Sequence, residues 1–377
     1  MKGPSLGCQW AQTSLVVNHS QKFLPCCRFT SDLKMPLAHE LSLQKAFEHP
    51  SLVDIRQKLQ SGVFPPGCHV CQNEEMAGIK SLRQKKRFEE SPSEELRELE
   101  LFLGSHCNMM CRMCGPESSS VWAQHLGQKL NKALSPEVLL KDLDLRQIRH
   151  LKLLGGETLI QKEFLKTLDL FLMRGSPQST TIYFVSNGSV GPETKFLEKL
   201  SAFARVDIDF SVDGIGPTGE YIRPGVDWSI IQQNIEQWQK SCRDFPETFF
   251  FRVHSTLQAC NYADLLNIIL FCKDRGLNWS QRLLDWPQAL ALENLPLKAR
   301  HFLLQNMKEN PRYEEAREFL KEQKLLDVWT FLMENFLTDN YVDVAGLLTE
   351  LEKYDAPLKT NWKTSLPALA HALNELK

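Results

Sequence analysis

The chain has 377 residues, too many for one small module, and its 42% hydrophobic and 24% charged residues exclude a disordered, collagen-like or fibrous protein. With 44 Lys and Arg against 46 Asp and Glu the net charge is −2, so no global positive field favours nucleic acid or an anionic membrane; Lys85, Lys86 and Arg87 form only a local basic patch. No apolar run approaches the roughly 20 residues that span a bilayer, and the opening MKGPSLGCQW lacks a hydrophobic signal region, so a cytoplasmic protein is the expectation.

In a reducing compartment, 11 cysteines call for metals, catalysis or inert burial, because disulfides rarely persist there. Five of them fall in residues 1–95, the first expected domain. Cys68 and Cys71 form a CxxC after a Pro-Pro-Gly turn, an arrangement that aims two sulfurs at one metal site. Cys26 and Cys27 are adjacent, so they are not expected to ligate the same metal atom in a relaxed backbone. One of the pair, with Cys8, Cys68 and Cys71, would complete four ligands, for an iron-sulfur cluster or for zinc. The charged stretch KKRFEESPSEE reads as a linker to the next domain.

Residues 96–290 alternate β-rich runs with amphipathic stretches. The runs are ELELFLGS, IRHLKLLGG, TTIYFVSN, RVDIDFSV, FFFRVHSTL and LNWSQRLL, with helices expected around residues 117–130, 160–174, 192–203, 228–243 and 262–275. Right-handed crossovers between parallel strands curl such a series into a barrel, and six units leave it incomplete: an α/β fold, a partial (β/α)6 barrel. Polar motifs stand at the carboxyl ends of the runs, where barrel chemistry sits: GSHC, GGE, SNG and SVDG. From 291 to 377 the chain reads as a helical extension whose Phe302, Leu303, Phe319, Trp329, Phe336 and Leu347 are expected to pack as core.

The loop after the first run carries Cys107, Cys111 and Cys114, a CxxxCxxC. Three thiolates at this spacing can hold three irons of a [4Fe-4S] cluster and leave the fourth open, whereas the competing reading is a three-cysteine zinc site. Of the remaining cysteines, Cys242 and Cys272 are expected in the core. Cys260 follows the fifth run; it is either buried or a thiol at the barrel mouth that returns a hydrogen atom to substrate. His254, Arg282 and Asp285 are candidate substrate contacts.

With SHCNMMCRMCGPESSSVW followed by GGE, the chain resembles the radical S-adenosylmethionine (SAM) superfamily, in the version found with twitch or SPASM auxiliary-cluster domains. The resemblance implies that the open iron chelates SAM and that reductive cleavage yields methionine and a 5′-deoxyadenosyl radical. It implies further that Gly155, Gly156 and Glu157 meet the methionyl amino group, that Ser186, Asn187, Ser211 and Asp213 hold the ribose, and that Arg223 in EYIRPGVDW pairs with the methionyl carboxylate. Met113 stands where many members carry an aromatic residue against adenine. The N-terminal cysteines resemble a half-SPASM module: a strand leading to PCC, then PPGCxxCxxxExxGxxSxR, matched by Glu75, Gly78, Ser81 and Arg83. That module commonly follows the barrel; here it precedes it. By this likeness its cofactor is an auxiliary [4Fe-4S] cluster in electron transfer, fed by a reductant such as flavodoxin or ferredoxin. The implied function is oxidative modification of an unactivated C–H position in a peptide or small molecule. Redox-neutral epimerisation with a Cys donor, and a non-catalytic metal scaffold, stand as alternatives. No winged-helix leader-binding module of the kind found in peptide-modifying relatives is visible.

Overall fold

The computed structural model describes residues 7–30, 33–78, 80–85, 95–130, 132–330, 333 and 342–374. Lys86, Arg87, most of the expected linker and Phe336 lie outside the described residues.

One eight-stranded sheet organises the chain. Its strands are β1 (Ser14–Val17), β2 (Phe23–Leu24), β3 (Glu98–Phe102), β4 (His150–Leu154), β5 (Thr181–Ser186), β6 (Arg205–Ser211), β7 (Phe249–Leu257) and β8 (Asn278–Leu283), in the spatial order β2-β1-β3-β4-β5-β6-β7-β8. Strands β3 to β8 are the six expected runs, all parallel. The sheet does not close, with β2 and β8 at its ends, so the architecture is a partial barrel. Helical crossovers include Lys162–Arg174, Thr194–Leu200, Trp228–Arg243 and Leu265–Arg275. The helix expected over 117–130 is shorter, Ser120–His125, because Gly127 adopts a left-handed φ of 63° and ends it.

Two strands came from outside the expected barrel. The run SLVV forms β1, which pairs in parallel with β3, Leu15 opposite Leu99, before β2 turns back antiparallel along it. The N-terminal cysteine segment and the barrel therefore share one sheet.

Each barrel strand has one apolar face and one polar face. Leu99, Leu153, Ile182, Phe184, Ile208, Phe210 and Val253 are buried beneath the helices. Phe164 and Phe196 of two crossover helices and Trp238 of a third pack there, with ring centroids of Phe164 and Phe184 5.3 Å apart and of Trp238 and Phe210 6.0 Å apart. Each such side chain contributes about 1.5–3 kcal/mol by burial. On the other face the register aligns Glu100, Lys152, Tyr183 and Asp207 in one row, and Asp209 with Arg252 in the next. A parallel sheet covered on both sides would be apolar throughout; this one lines cavities.

The C-terminal region is helical in its described residues, with Leu303, Phe319, Trp329 and Leu347 buried and Phe302 half-buried. No helix among the described residues is long and apolar enough to cross a membrane.

Candidate iron-sulfur and cofactor site

The loop that leaves β3 is held from several sides. The Met110 and Arg112 amides donate to the Pro224 and Ile222 carbonyls at 2.8 and 2.9 Å. The serines and tryptophan of PESSSVW complete the support: Ser119 Oγ donates to Met109 O at 2.7 Å, Trp122 Nε1 to Cys111 O at 2.9 Å, and the Cys107 amide to Ser120 Oγ at 3.0 Å. Arg112, between two of the cysteines, is 2% exposed. Its guanidinium donates to Tyr221 O, Asp355 Oδ1 and Thr360 Oγ1 and lies 3.7 Å over the Tyr221 ring. The C-terminal helices thus grip the loop directly.

Cys107, Cys111 and Cys114 border a cavity of about 210 Å³ together with Met113, Gly155, Gly156, Asn187, Ser211 and Arg223. Gly156 is fixed by space: a Cβ there would lie 2.4 Å from His106 O and 2.8 Å from Cys107 Cβ. A side chain would push the end of β4 off the cysteine loop. Two donors reach the sulfurs, Asn187 Nδ2 to Cys107 Sγ at 3.9 Å and Arg223 Nη1 to Cys111 Sγ at 3.7 Å. Burial pushes the Cys107 thiol up to about 11, and Cys111 is raised by its hydrogen bond with Cys114 and by burial. The same bond lowers Cys114; sulfurs that face a guanidinium and an amide donor fit a site completed by the positive charge of bound iron. Among the described residues no three Cys, His, Asp or Glu side chains converge as a single metal ion requires; the three sulfurs border a cavity instead.

The residues expected to meet SAM divide into two groups. Gly155, Gly156, Asn187, Ser211 and Arg223 line the cavity, and so do Met109, Thr158 and Thr256, which the sequence did not single out. Glu157, Ser186 and Asp213 stand behind it. The fully buried Glu157 carboxylate accepts from the Asn187 amide at 2.6 Å, the Leu159 amide at 3.0 Å and Ser186 Oγ at 3.0 Å, tying the ends of β4 and β5 together. Burial raises its pKa, and the three donors oppose that rise. Asp213, also fully buried, accepts from Arg223 Nε at 2.6 Å and from the Thr256 amide. Burial works against the Arg223 charge, but Asp213 and the loop cysteines hold its pKa above the ordinary value.

Below this cavity, toward the amino ends of the strands, lies a larger chamber of about 520 Å³. Its walls carry Glu98 and Glu100 of β3, Lys152 of β4, Tyr183 of β5, Arg205 and Asp207 of β6 and Arg252 of β7. Glu100 pairs with Lys152 at 3.0 Å, and Asp209 accepts from Tyr183 Oη at 2.6 Å and from Arg252 Nε at 2.5 Å. The sequence carried a signal for this face, the polar residues at every second position of ELELF, HLKLL, RVDIDFS and FRVHST. His254 bonds Ser280 at 2.9 Å, and burial lowers its pKa, favouring the neutral imidazole. Arg282 and Asp285 are exposed and pair with each other at 2.5 Å.

In the N-terminal module Cys8, Cys26, Cys68 and Cys71 lie within electrostatic reach of one another. Burial, then Cys8 and Cys71, push Cys68 up to about 12; Cys8 is pushed up to about 11, chiefly by burial. Cys8, Cys26 and Cys68, each raised by burial and by neighbouring cysteines, fit a cluster that supplies the compensating charge. The motif tail is a clasp on this set. Arg83 pairs with Glu75 through Nε at 2.9 Å and through Nη2, Ser81 Oγ donates to Glu75 at 2.6 Å, and Arg83 Nη1 donates to Gly7 O at 2.9 Å, beside Cys8. Although burial raises it, Glu75 is held below the usual carboxylate range by Arg83 and Ser81. Gly78, at φ 75°, makes the turn between them.

Cys27 differs from its neighbour. It is exposed, lines the 520 Å³ chamber, and its thiol is pushed up by desolvation and by Glu100 of the barrel. Cys260 is 1% exposed, lines neither cavity, and is pushed up to about 12 by burial near Arg112 and Asp355. Cys242 and Cys272 are buried as expected.

Residues 96–214 match the family model of a 4Fe-4S single cluster domain. No curated protein matches the chain. Among solved structures it resembles native anSMEcpe with bound AdoMet and the Cp18Cys peptide at 15% identity and a TM-score of 0.42, over 60% of this chain and 61% of that one. It also resembles Streptococcus suis SuiB bound to S-adenosylmethionine at 13% identity and a TM-score of 0.40, over 73% and 57% of the two chains. The radical S-adenosylmethionine methyltransferase TsrM of Kitasatospora setae matches at 12% identity and a TM-score of 0.37, over 53% and 40%. The chain spans about three fifths of the length of the anSMEcpe structure.

Proposed function

We propose that this chain, a radical SAM protein by its 4Fe-4S single cluster domain at residues 96–214 and the CxxxCxxC loop inside it, is an enzyme that opens an unactivated C–H bond of a peptide or small molecule. The observation that carries this reading is the cavity beside Cys107, Cys111 and Cys114, which leaves one side of the cysteine set free for a ligand. A reduced cluster with SAM bound supplies a one-electron cleavage to methionine and a 5′-deoxyadenosyl radical. Around it, Gly155 and Gly156 let the ligand approach the backbone, Arg223 offers a cation to a carboxylate, and Asn187 and Ser211 offer hydrogen-bonding groups. Asp213 and Glu157 hold those groups in place from behind. A metal scaffold that only recruits partners has no use for such an opening.

Cys8, Cys26, Cys68 and Cys71 are the proposed ligands of the auxiliary cluster, whose complete ligand set suits it to electron transfer with flavodoxin or ferredoxin as the donor. Two fates of the substrate radical fit this assembly. In oxidation a cluster held by Cys8, Cys26, Cys68 and Cys71 would accept the electron; in hydrogen return a thiol of the chain would quench the radical. Cys260 was the thiol expected from sequence, and its burial away from both cavities favours another donor.

Anaerobic reconstitution followed by dithionite reduction in the presence of SAM tests the function. About eight irons per chain, four for each cubane, with formation of 5′-deoxyadenosine and methionine, are expected. Fully clustered protein that leaves SAM intact would sink the enzyme reading.

A further inference from the structure

The pair Cys26-Cys27 sends its two sulfurs to different places. Cys26 is turned toward Cys8 and Cys68, while Cys27 opens into the barrel chamber beside Glu100 and Lys152. The CxxxCxxC loop and Gly155 border the upper cavity at the carboxyl ends of the strands, whereas Lys152, in the wall beside Cys27, lies three positions earlier on the same strand. At about 3.3 Å per residue the two levels are separated by ~10 Å along the strands. A substrate between them meets the SAM site on one side and the Cys27 thiol on the other.

We propose that Cys27 is a free thiol in the substrate chamber and returns a hydrogen atom to the substrate radical, and that the chamber takes a polar substrate carrying charges of both signs. The proposal rests on the radical chemistry above and goes beyond it in naming the donor and the outcome. The substrate carbon takes the hydrogen of the S–H bond, which breaks homolytically because it is weaker than most C–H bonds. A C–H bond forms on the face opposite the one attacked, and a sulfur radical remains. One electron from a flavodoxin- or ferredoxin-type reductant, passed through the adjacent auxiliary cluster, and one proton from water restore the thiol. Position favours this use, since Cys27 directly follows Cys26 and so sits between that cluster and the substrate. The substrate class follows from the walls, whose charges stand as opposite-sign pairs, Glu100 with Lys152, Asp207 with Arg205 and Asp209 with Arg252, so that a substrate carrying both signs can exchange partners with them.

Three measurements on the anaerobically reconstituted protein test it. The iron content of Cys27→Ser should equal that of wild type while Cys26→Ser loses about half; loss of iron in Cys27→Ser would make Cys27 a ligand and overturn the proposal. Bromoacetamide should label Cys27 with iron retained, and Nα-bromoacetyl-lysine, which carries both charges, should label it several-fold faster relative to a free thiol; a ratio of one overturns the substrate class. With SAM and dithionite as the only additions in D₂O, the thiol carries deuterium, and its S–D bond is weaker than the C–H bonds that a radical in the empty chamber would otherwise attack. Wild type should then form 5′-deoxyadenosine with several-fold more deuterium than Cys27→Ser. Equal deuterium overturns the donor role alone, whereas no 5′-deoxyadenosine from wild type overturns the proposed function, and the iron and labelling results still decide where Cys27 points.

Discussion

The two cysteine sites use similar chemistry in unlike surroundings. In the N-terminal module Cys8, Cys26, Cys68 and Cys71 lie within electrostatic reach of one another, and the clasp of Glu75, Ser81 and Arg83 braces the same segment. In the barrel three sulfurs border an open cavity that also presents an arginine, an asparagine and two glycines. On the proposed assignment ligand count sets the difference: four sulfur ligands would leave a cluster only electron transfer, and three would leave one iron open to a ligand. The supports differ too. The barrel loop is gripped by Arg112 through residues near the C-terminus, so three distant parts of the chain must fold before that site exists. The N-terminal set is held mainly within its own segment.

The sharpest way to break the comparison is to remove one sulfur from each site. Cys111→Ala and Cys71→Ala should each lose about half the iron, by iron and sulfide assay, but only Cys111→Ala should abolish SAM cleavage. Equal loss of cleavage in both would mean that the sites are not functionally separate. Next in size, Arg223→Ala leaves the buried Asp213 carboxylate without its cation, a change that costs about 3–5 kcal/mol of stability. SAM affinity should fall by about 1.5–3 kcal/mol, for one lost charge-assisted bond, and equilibrium binding checks it.

A smaller effect is expected at the clasp. Glu75→Gln should lower the melting temperature of the reconstituted protein. Because the folded protein holds Glu75 below its usual value of 4.5, its contribution is present above pH 4.5 and fades as the pH falls further, so the gap between wild type and variant should close there. A gap that widens with acid would reverse the sign and refute the clasp. Smallest of all, Asp355→Asn keeps the other Arg112 partners and should cost about 1–2 kcal/mol. Its reduced cluster should keep its iron but show an altered electron paramagnetic resonance signal; an unchanged signal would separate the C-terminal helices from the barrel site.

Much of this was legible in the residues. The alternation of apolar runs and amphipathic stretches marked all six barrel strands, because a strand with one buried face must repeat every two residues. The order of CxxxCxxC, GGE, SNG and SVDG placed polar groups at successive strand ends, and Gly155, Gly156, Asn187, Ser211 and Arg223 do share one cavity. Other features were visible but ambiguous. SLVV is four residues long, and nothing local says that its partner is β3, more than 80 positions away in sequence. Glu157 and Asp213 read as ligand contacts, but their carboxylates are spent on neighbouring donors that only folding brings near.

By itself the sequence determined the barrel strands and the cysteine spacing from which a ligand set is proposed, since residue type, spacing and hydrophobic period are local properties that one strand or loop expresses alone. Only the tertiary structure decided direction: which of Cys26 and Cys27 lines the chamber, that Cys260 is buried away from both cavities, and that Arg112 reaches Asp355. Cys26 and Cys27 sit in the bend and turn after β2, where the Phe29 amide donates to Cys26 O at 3.2 Å, so one step in sequence carries a thiol from the other N-terminal cysteines to the wall of the chamber. What lies on each side is set by strand pairing and packing across long stretches of chain.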